Sequence, residues 1–556
     1  MEIRDGKVEK ILFVESLNKY YYPYQNWFLP LKKRCKTLLN FDFKWNYLFY
    51  GKETMNKMFL DLVEKEQPDL IIFLFNSDEF YMETLFKIKE ISKKSKTFLY
   101  FGDDDIGFEN FSRYMIRIMD YGLVGQWKFL KKYREEGANN VFFCIGIDSS
   151  FFRKLNTEKI YDVTFIGAPG TESSGRYETI KFLKDNGVNI RLFGWGWNRF
   201  PEFKDIYFGA LDSENIVKVI NQSKINLCLT KNNFGAPHIK AKFFECSSCG
   251  SFTLTEYSKS FLDLFKENRE IVMFKDKEEL LNKIKYYLKH EKERETIARA
   301  AQKRTINNYS LDEDFRKIFI ELKKKKNPKY HQELPKVEKK VIELKIGDFK
   351  KEPEKLKEEI QNFDYVYFSK GQSNDLKYRE YFQALSLEKS KKPISCCSYY
   401  IHNKFLGDYL LFLGEFAFRK LSKEDFIQLL NINQLMITKE YLFENFKKLK
   451  NIMLNNEQID FIQEHNTVFI SLPLIRINKI SLKKYNDMKI AYGFIFLSQL
   501  FSLKNQGKIF FKPYIYALLL EIIKGKKFIL KAIIDILKDK DKRKKMNSFQ
   551  TINKPN

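Results

Sequence analysis

At 556 residues, 44% of them hydrophobic, the chain is too long for one core and too apolar for wholesale disorder, which predicts two to four domains each able to bury a stable interior. Its 98 basic residues outnumber 72 acidic ones, and the net charge of +26 favours polyanions or anionic lipid at long range. That excess is spread along the whole chain without a zinc-finger, basic-zipper or RRM-type signature, so no nucleic-acid partner is expected. The seven cysteines, at 35, 144, 228, 246, 249, 396 and 397, are too few and too scattered for a disulfide framework and fit a reducing, cytoplasmic compartment. Cys246 and Cys249 form a CxxC, but no second pair stands at zinc-ligand spacing, so no metal is expected there. The opening MEIRDGKVEKILFVES carries acidic residues and runs straight into a strand, unlike a signal peptide, and apolar stretches such as 490–503 fall short of the roughly 20 residues of a spanning helix.

Short apolar runs alternate with helical patterns from the start, the signature of an α/β chain with parallel sheets. Strands are expected at 10–15, 69–75, 97–101, 121–123 and 140–144, with helices at 52–65, 82–94 and 128–136 between them. The alternation repeats from about residue 161, with strands at 162–166, 190–193, 225–229 and 252–255 and helices at 177–186, 213–222, 239–247 and 278–290. In the last of these helices Leu280, Leu281, Ile284, Tyr287 and Leu288 share one face. A lysine run at 323–326 and a polar stretch at 327–340 read as a linker. Beyond it, 341–346, 365–369 and 467–472 read as strands, and 514–537 as a lysine-rich apolar helix leading into KDKDKRKK, a candidate peripheral membrane contact over 514–545.

Open sheets of this kind bind ligands beyond the carboxyl ends of their strands, which directs attention to four loops. The loop 167–175 holds Gly167 and Gly170, and Arg176 starts the helix after it, a setting for anions at a helix N-terminus. Gly194 and Trp195 in GWGWN offer a flat face for a base or sugar, although tryptophan is equally a core anchor. The segment 238–257, HIKAKFFECSSCGSFTLTEY, combines His238, Lys240, Lys242, Glu245, Thr255 and Glu256. Two lysines two apart diverge on a helix but share a side in an extended segment, and Glu245 between Phe244 and Cys246 is costly to bury without a partner. Asp103, Asp104 and Asp105 end a first-half strand and could supply a general base.

The succession from 238 through EIVMFKDKEELLNKIKYYLKH and ERETIARAAQKRTINNYS, with DVTFIGAP at 162–169 before it, resembles the CgeB-like glycosyltransferases, relatives of the group 1 glycosyl transferases, over about residues 95–320. The resemblance implies the GT-B architecture of two Rossmann-like domains facing a cleft, and metal-independent transfer from a nucleotide-sugar without a further cofactor. It implies Lys242 on the diphosphate and Glu245 on the ribose. The family's paired glutamates seven apart are broken here by Pro237, leaving His238 or Asn233 to take the earlier place. The expected organisation is an acceptor-side domain at 1–157, a nucleotide-sugar domain at 158–326, and a C-terminal α/β accessory domain at 341–556 with a helical tail. That last part is faintly similar to a partial GT-A domain, but the segment 366–373 (VYFSKGQS) lacks its metal-binding Asp-x-Asp. The expected function is therefore bacterial surface-polysaccharide or glycoconjugate synthesis, with a glycan, lipid-linked or protein acceptor. Two rival expectations are a non-catalytic sugar- or nucleotide-binding scaffold and a basic polyanion-binding protein.

Overall fold

The computed structural model of the chain describes residues 3–4, 7–17, 23–75, 79–233, 235–324, 339–345, 353–369, 373–375, 378–403, 407–411, 435–449 and 466–477. Most of the expected linker and the whole tail helix lie outside the described residues.

The first sheet comprises β1 (Ile3–Arg4), β2 (Lys7–Val14), β3 (Cys35–Phe41), β4 (Leu70–Phe73), β5 (Lys96–Phe101), β6 (Tyr121–Val124) and β7 (Val141–Phe143). The main strands pair in parallel in the order β3-β2-β4-β5-β6-β7, and β1 folds back antiparallel on β2. Every residue of β4 and β6 is buried, as continuous apolar runs covered on both faces require. Helix α1 (Phe43–Glu66) starts where the Asp42 carboxylate accepts from the Trp45 amide, and stops at Gln67, whose φ of 43° turns the chain left-handed. Helix α2 (Met82–Ile91) follows β4, and the one-turn α3 (Asp104–Gly107) and α4 (Trp127–Glu135) follow β5 and β6.

A second sheet of β8 (Tyr161–Ile166), β9 (Ile190–Phe193), β10 (Ser223–Cys228), β11 (Thr253–Glu256) and β12 (Val272–Phe274) is parallel throughout, in the order β12-β11-β10-β8-β9. Its helices are α5 (Arg176–Asp185), α6 (Ser213–Gln222), α7 (Ala241–Ser248), α8 (Lys277–Lys289) and α9 (Glu291–Tyr309). Leu280, Leu281, Ile284 and Tyr287 of α8 are buried against the sheet, as their spacing predicts. Strand order reverses between β8 and β10, so the loops leaving these two strands diverge and open a crevice at the carboxyl edge.

Helix α10 (Leu311–Lys324), which the sequence reading did not anticipate, carries the chain back to the first sheet. Leu311, Phe315, Ile318 and Phe319 share a core with Val8, Ile11, Phe13, Leu70, Ile72 and Leu123, while the Leu311 amide donates to the Ile147 carbonyl at 2.8 Å. Two Rossmann-like units face one another with this helix bracing the first, which is the expected GT-B arrangement.

The third sheet is mixed: β13 (Val341–Lys345), β14 (Tyr365–Ser369), β15 (Ser373–Asp375), β16 (Ile394–Asn403), β17 (Gly407–Leu411), β18 (Leu435–Thr438) and β19 (Thr467–Ile477). Helix α11 (Arg379–Ser390) covers it and meets the first unit directly. Phe86 stacks on Tyr378 at 4.4 Å between ring centroids, Tyr114 meets Phe382 edge-on at 5.8 Å, and one apolar cluster runs from Phe73 and Tyr114 to Val366 and Ile394. The unit after the linker is thus welded to the first sheet's helices. Among the described residues no helix is long and apolar enough to cross a membrane.

Candidate functional site

The loops after β8 and β9 are built around close backbone approach. Gly194 has φ of 122°, and a Cβ there would lie 2.5 Å from the Gly167 carbonyl oxygen, so only glycine fits. The buried Trp197 indole donates to that same carbonyl at 2.7 Å, whereas Trp195 leaves 53% of its surface exposed. The two tryptophans therefore divide the alternatives, one as core anchor and one as an available aromatic face. Gly170, with φ of 73°, turns the loop, and Gly175, with φ of 63°, precedes the N-terminus of α5.

Arg176 is buried, and its guanidinium donates to the Lys231 carbonyl at 2.9 Å and the Ala168 carbonyl at 3.4 Å, tying the loop after β8 to the loop after β10. Burial pulls its pKa down, opposed by the nearby Glu256. It positions these loops, which corrects the expectation of a direct diphosphate ligand. Glu256 plays a related part: its carboxylate accepts from the amides of Thr230 and Lys231 and lies 3.6 Å from the Lys231 ammonium. Thr255 is wholly buried within the sheet and donates to the Cys228 carbonyl at 3.1 Å, so it is no donor-sugar contact.

Helix α7 begins two residues later than expected because Ile239 and Lys240 stay extended; Lys240 is the N-cap, with φ −92° and ψ 133°. Lys242, the second residue of the helix, forms an ion pair with Glu245, which is buried. The two residues expected to hold diphosphate and ribose hold each other here. Lys240 has no hydrogen bond or ion pair to the described residues. Burial, then repulsion from Arg176, lowers its pKa, while Asp103 and Asp105 oppose that shift. Lys242 is thus committed to Glu245 while Lys240 is not paired among the described residues, the reverse of the preference for Lys242. The CxxC thiols are buried, which pushes Cys249 up to about 12 and Cys246 well above the usual thiol range, so neither is a reactive thiolate.

Across the crevice the three aspartates separate. Asp104 turns into the first unit, where it is buried, accepts from the Tyr133 hydroxyl at 3.0 Å and is pushed up to about 8 by burial; it does not face the cleft, contrary to expectation. Asp103 is exposed, with its carboxylate 3.7 Å from Nε2 of His238. Asp105 reaches the second unit: one oxygen lies 2.9 Å from Nδ1 of His238 and the other accepts from the Asn232 amide. Burial resists ionisation of Asp105, yet hydrogen bonds and charge from His238, with the Asn232 bond, hold its pKa below the usual carboxylate range.

Gln126, at the end of β6, completes the crossing. Its amide oxygen accepts from the Ile239 amide at 2.9 Å, and its nitrogen donates to the Ile239 and Gly102 carbonyls, each at 3.1 Å. Asp103, Asp105 and His238 each present a ligand atom within 4.8 Å of the others, a spacing that a divalent ion could bridge. Each oxygen of Asp105 already makes one hydrogen bond, to His238 and to Asn232. Sequence reasoning missed Gln126 and Asn232, uncharged amides whose partners are more than a hundred residues away.

Residues 176–319 match a family model described as glycosyl transferase-like. No curated protein matches the chain. Among solved structures, HepE of Anabaena in complex with UDP is 12% identical with a TM-score of 0.43, over 57% of this chain and 100% of its own. A glycosyltransferase from Rickettsia africae is 13% identical, and sucrose-phosphate synthase from Thermosynechococcus elongatus 10%; each has a TM-score of 0.41 over 57% of this chain and 98% of its own.

Proposed function

We propose that the protein transfers a sugar from a nucleotide-sugar donor to a hydroxyl-bearing acceptor, in the manner of a metal-independent, CgeB-like GT-B enzyme. The observation that carries this reading is Lys240, a half-buried ammonium with no hydrogen bond or ion pair among the described residues, at the reversal point of the second sheet and inside the segment that matches the transferase family model. A partly desolvated cation with no direct ion pair gains from an anionic ligand, and a diphosphate would supply that charge.

The donor lies along the 158–326 unit, with its diphosphate against Lys240 and the amides of the 167–175 loop, Gly167, Gly170 and Gly194 giving it close approach to backbone. Trp195 offers a face for the base or sugar, and Glu245, already held by Lys242, receives the ribose when that pair opens. The acceptor, a glycan, lipid-linked or protein hydroxyl, enters over the 1–157 unit, while the unit from 341 onward backs that wall. Hinge closure excludes water before transfer.

The test is a thermal-shift and calorimetric titration of the full chain with nucleoside diphosphates, followed by turnover of the matching nucleotide-sugars. One base is expected to stabilise selectively, and Lys240→Ala to weaken that binding about 10- to 100-fold, the worth of one charge-assisted hydrogen bond, without lowering the melting temperature of the free protein. Absence of nucleotide binding, or unchanged affinity in Lys240→Ala, overturns the assignment.

A further inference from the structure

We propose that the seam between the first and third units holds a second ligand site, built for a small phosphorylated sugar or polyol. It lies outside the crevice and does not depend on the transferase reading.

A cavity of about 430 Å³, a volume within the range of small-molecule sites, opens where the end of α4 meets the end of α11. The first unit forms one wall with Glu109, Arg113, Lys132, Glu135 and Glu136. The third unit forms the other with Lys389, Ser390, Lys392, Thr467 and Phe469. Glu109 is carried into its wall by a π-helical turn, Phe108–Ser112, which packs against β19. Such turns interrupt helix geometry and recur at functional sites. The core that Tyr114 and Phe382 share holds the two walls in place beside this gap.

The first wall satisfies its charges within itself. The buried Arg113 guanidinium donates from Nε to Glu136 at 2.9 and 3.1 Å and from Nη2 to the same carboxylate at 2.8 Å, while its Nη1 lies 2.6 Å from Glu109. Glu109 also takes the Lys132 ammonium. Burial resists ionisation of Glu109, yet Arg113 and Lys132 hold its pKa below the usual carboxylate range. Glu135 is the exception: its side chain is 61% exposed, and its ion pair is a 3.5 Å contact to Lys131 on its own helix. An exposed pair of that kind leaves the carboxylate open to a further donor.

The second wall is one of donors. Lys389 pairs with its chain neighbour Glu388 at 3.3 Å, and the Lys392 ammonium donates to the Thr467 carbonyl at 3.0 Å. The Ser390 hydroxyl oxygen accepts from the Lys392 amide at 3.2 Å, and its hydrogen has no acceptor among the described residues. A single lysine in the last turn of α11 would answer the helix dipole; a second lysine and a free hydroxyl hydrogen on the same wall exceed that need. Glu109, Glu135 and Glu136 take their ion pairs from Arg113, Lys131 and Lys132, so among the described residues no ion pair joins the walls.

Two ammoniums and a hydroxyl suit a phosphate monoester, whose oxygens only accept. An ionised carboxylate also only accepts, so Glu135 calls for hydroxyl donors on the far side. Inorganic phosphate would leave Glu135 unserved, and a neutral sugar would leave the lysines without an anion. A phosphorylated polyol meets both walls at once.

The experiment is isothermal titration of the full chain with glucose 6-phosphate, inorganic phosphate and glucose, each with and without excess UDP. Glucose 6-phosphate should bind one to one, at least about 10-fold tighter than either other probe, as a second charge-assisted hydrogen bond implies, and UDP should not displace it. Lys389→Ala/Ser390→Ala should weaken glucose 6-phosphate and inorganic phosphate alike by at least about 10-fold, and Lys389→Gln alone serves if the double variant does not fold. Glu135→Gln should weaken glucose 6-phosphate about 3- to 10-fold while leaving inorganic phosphate within about twofold. No binding of glucose 6-phosphate, its displacement by UDP, equal affinity for inorganic phosphate, or unchanged affinity in the lysine and serine variants overturns the inference. Failure of nucleotide binding in the Lys240 titration removes the proposed function and leaves this site standing, whereas failure here leaves the proposed function untouched.

Discussion

Gln126 is where the facing of the two units can be perturbed with least disturbance elsewhere. Leucine has nearly the same volume, so Gln126→Leu deletes the two bonds to the Ile239 backbone, at 2.9 and 3.1 Å, and adds no bulk. When the units part, water can satisfy Ile239, so the substitution acts mainly on the closed form. At about 1 kcal/mol net per hydrogen bond the loss is about 2 kcal/mol, roughly a 30-fold fall in the closed-to-open ratio. The described native cysteines are all buried, which lets spin labels be placed selectively on introduced cysteines at Lys131 and Lys181, one on each unit and both well exposed. Pulsed EPR should show a longer inter-label distance growing in Gln126→Leu, and further in Gln126→Leu/Asn232→Ala, which also removes the Asn232 bond to Asp105. An unchanged distance distribution in both variants would refute the claim that these contacts hold the crevice closed.

Two stability predictions follow from groups outside the crevice. Asp314 on α10 is buried beside Cys144, and burial raises its pKa from 3.8 to about 8, so the fold prefers the neutral acid. A carboxyl raised in the folded state contributes stability that is full below about pH 4 and is lost as pH rises through 8. Asp314→Asn stays neutral, so its melting temperature relative to the parent should climb from pH 5 to 8 and then level off; a constant difference would refute the buried neutral acid. Phe382→Ala empties a fully buried site between α11 and Tyr114 and should cost about 3–5 kcal/mol in chemical denaturation. Because that core is shared, calorimetry should show the first and third units melting together, and a separate transition that alone responds to Phe382→Ala would disprove the weld.

What the sequence revealed, and what it hid, follows from how local each determinant is. Runs such as LIIF at 70–73 are apolar at every position because both faces of a parallel sheet are covered, and four consecutive residues suffice to show it. Strand β3 escaped notice since only Cys35 and Phe41 at its ends are fully buried, leaving no alternation to read. Helix α10 follows α9 after a single residue, Ser310, so its start looked like a continuation, although Phe315, Ile318, Phe319 and Leu322 carry the right spacing. The Lys242–Glu245 pair was legible in principle, three apart on one helix, and taking it as a mutual pair would have singled out Lys240 at once.

Gln126 and Asn232 mark a different limit. Neither has a charge or a motif, and each matters only because the two units place it opposite a backbone or carboxylate more than a hundred residues away. The ring of His238 belongs to the second unit by sequence, yet Asp105 and Gln126, which meet its two nitrogens at 2.9 and 3.2 Å, belong to the first. When the units separate, the imidazole loses both partners at once, so its orientation is fixed only in the closed arrangement.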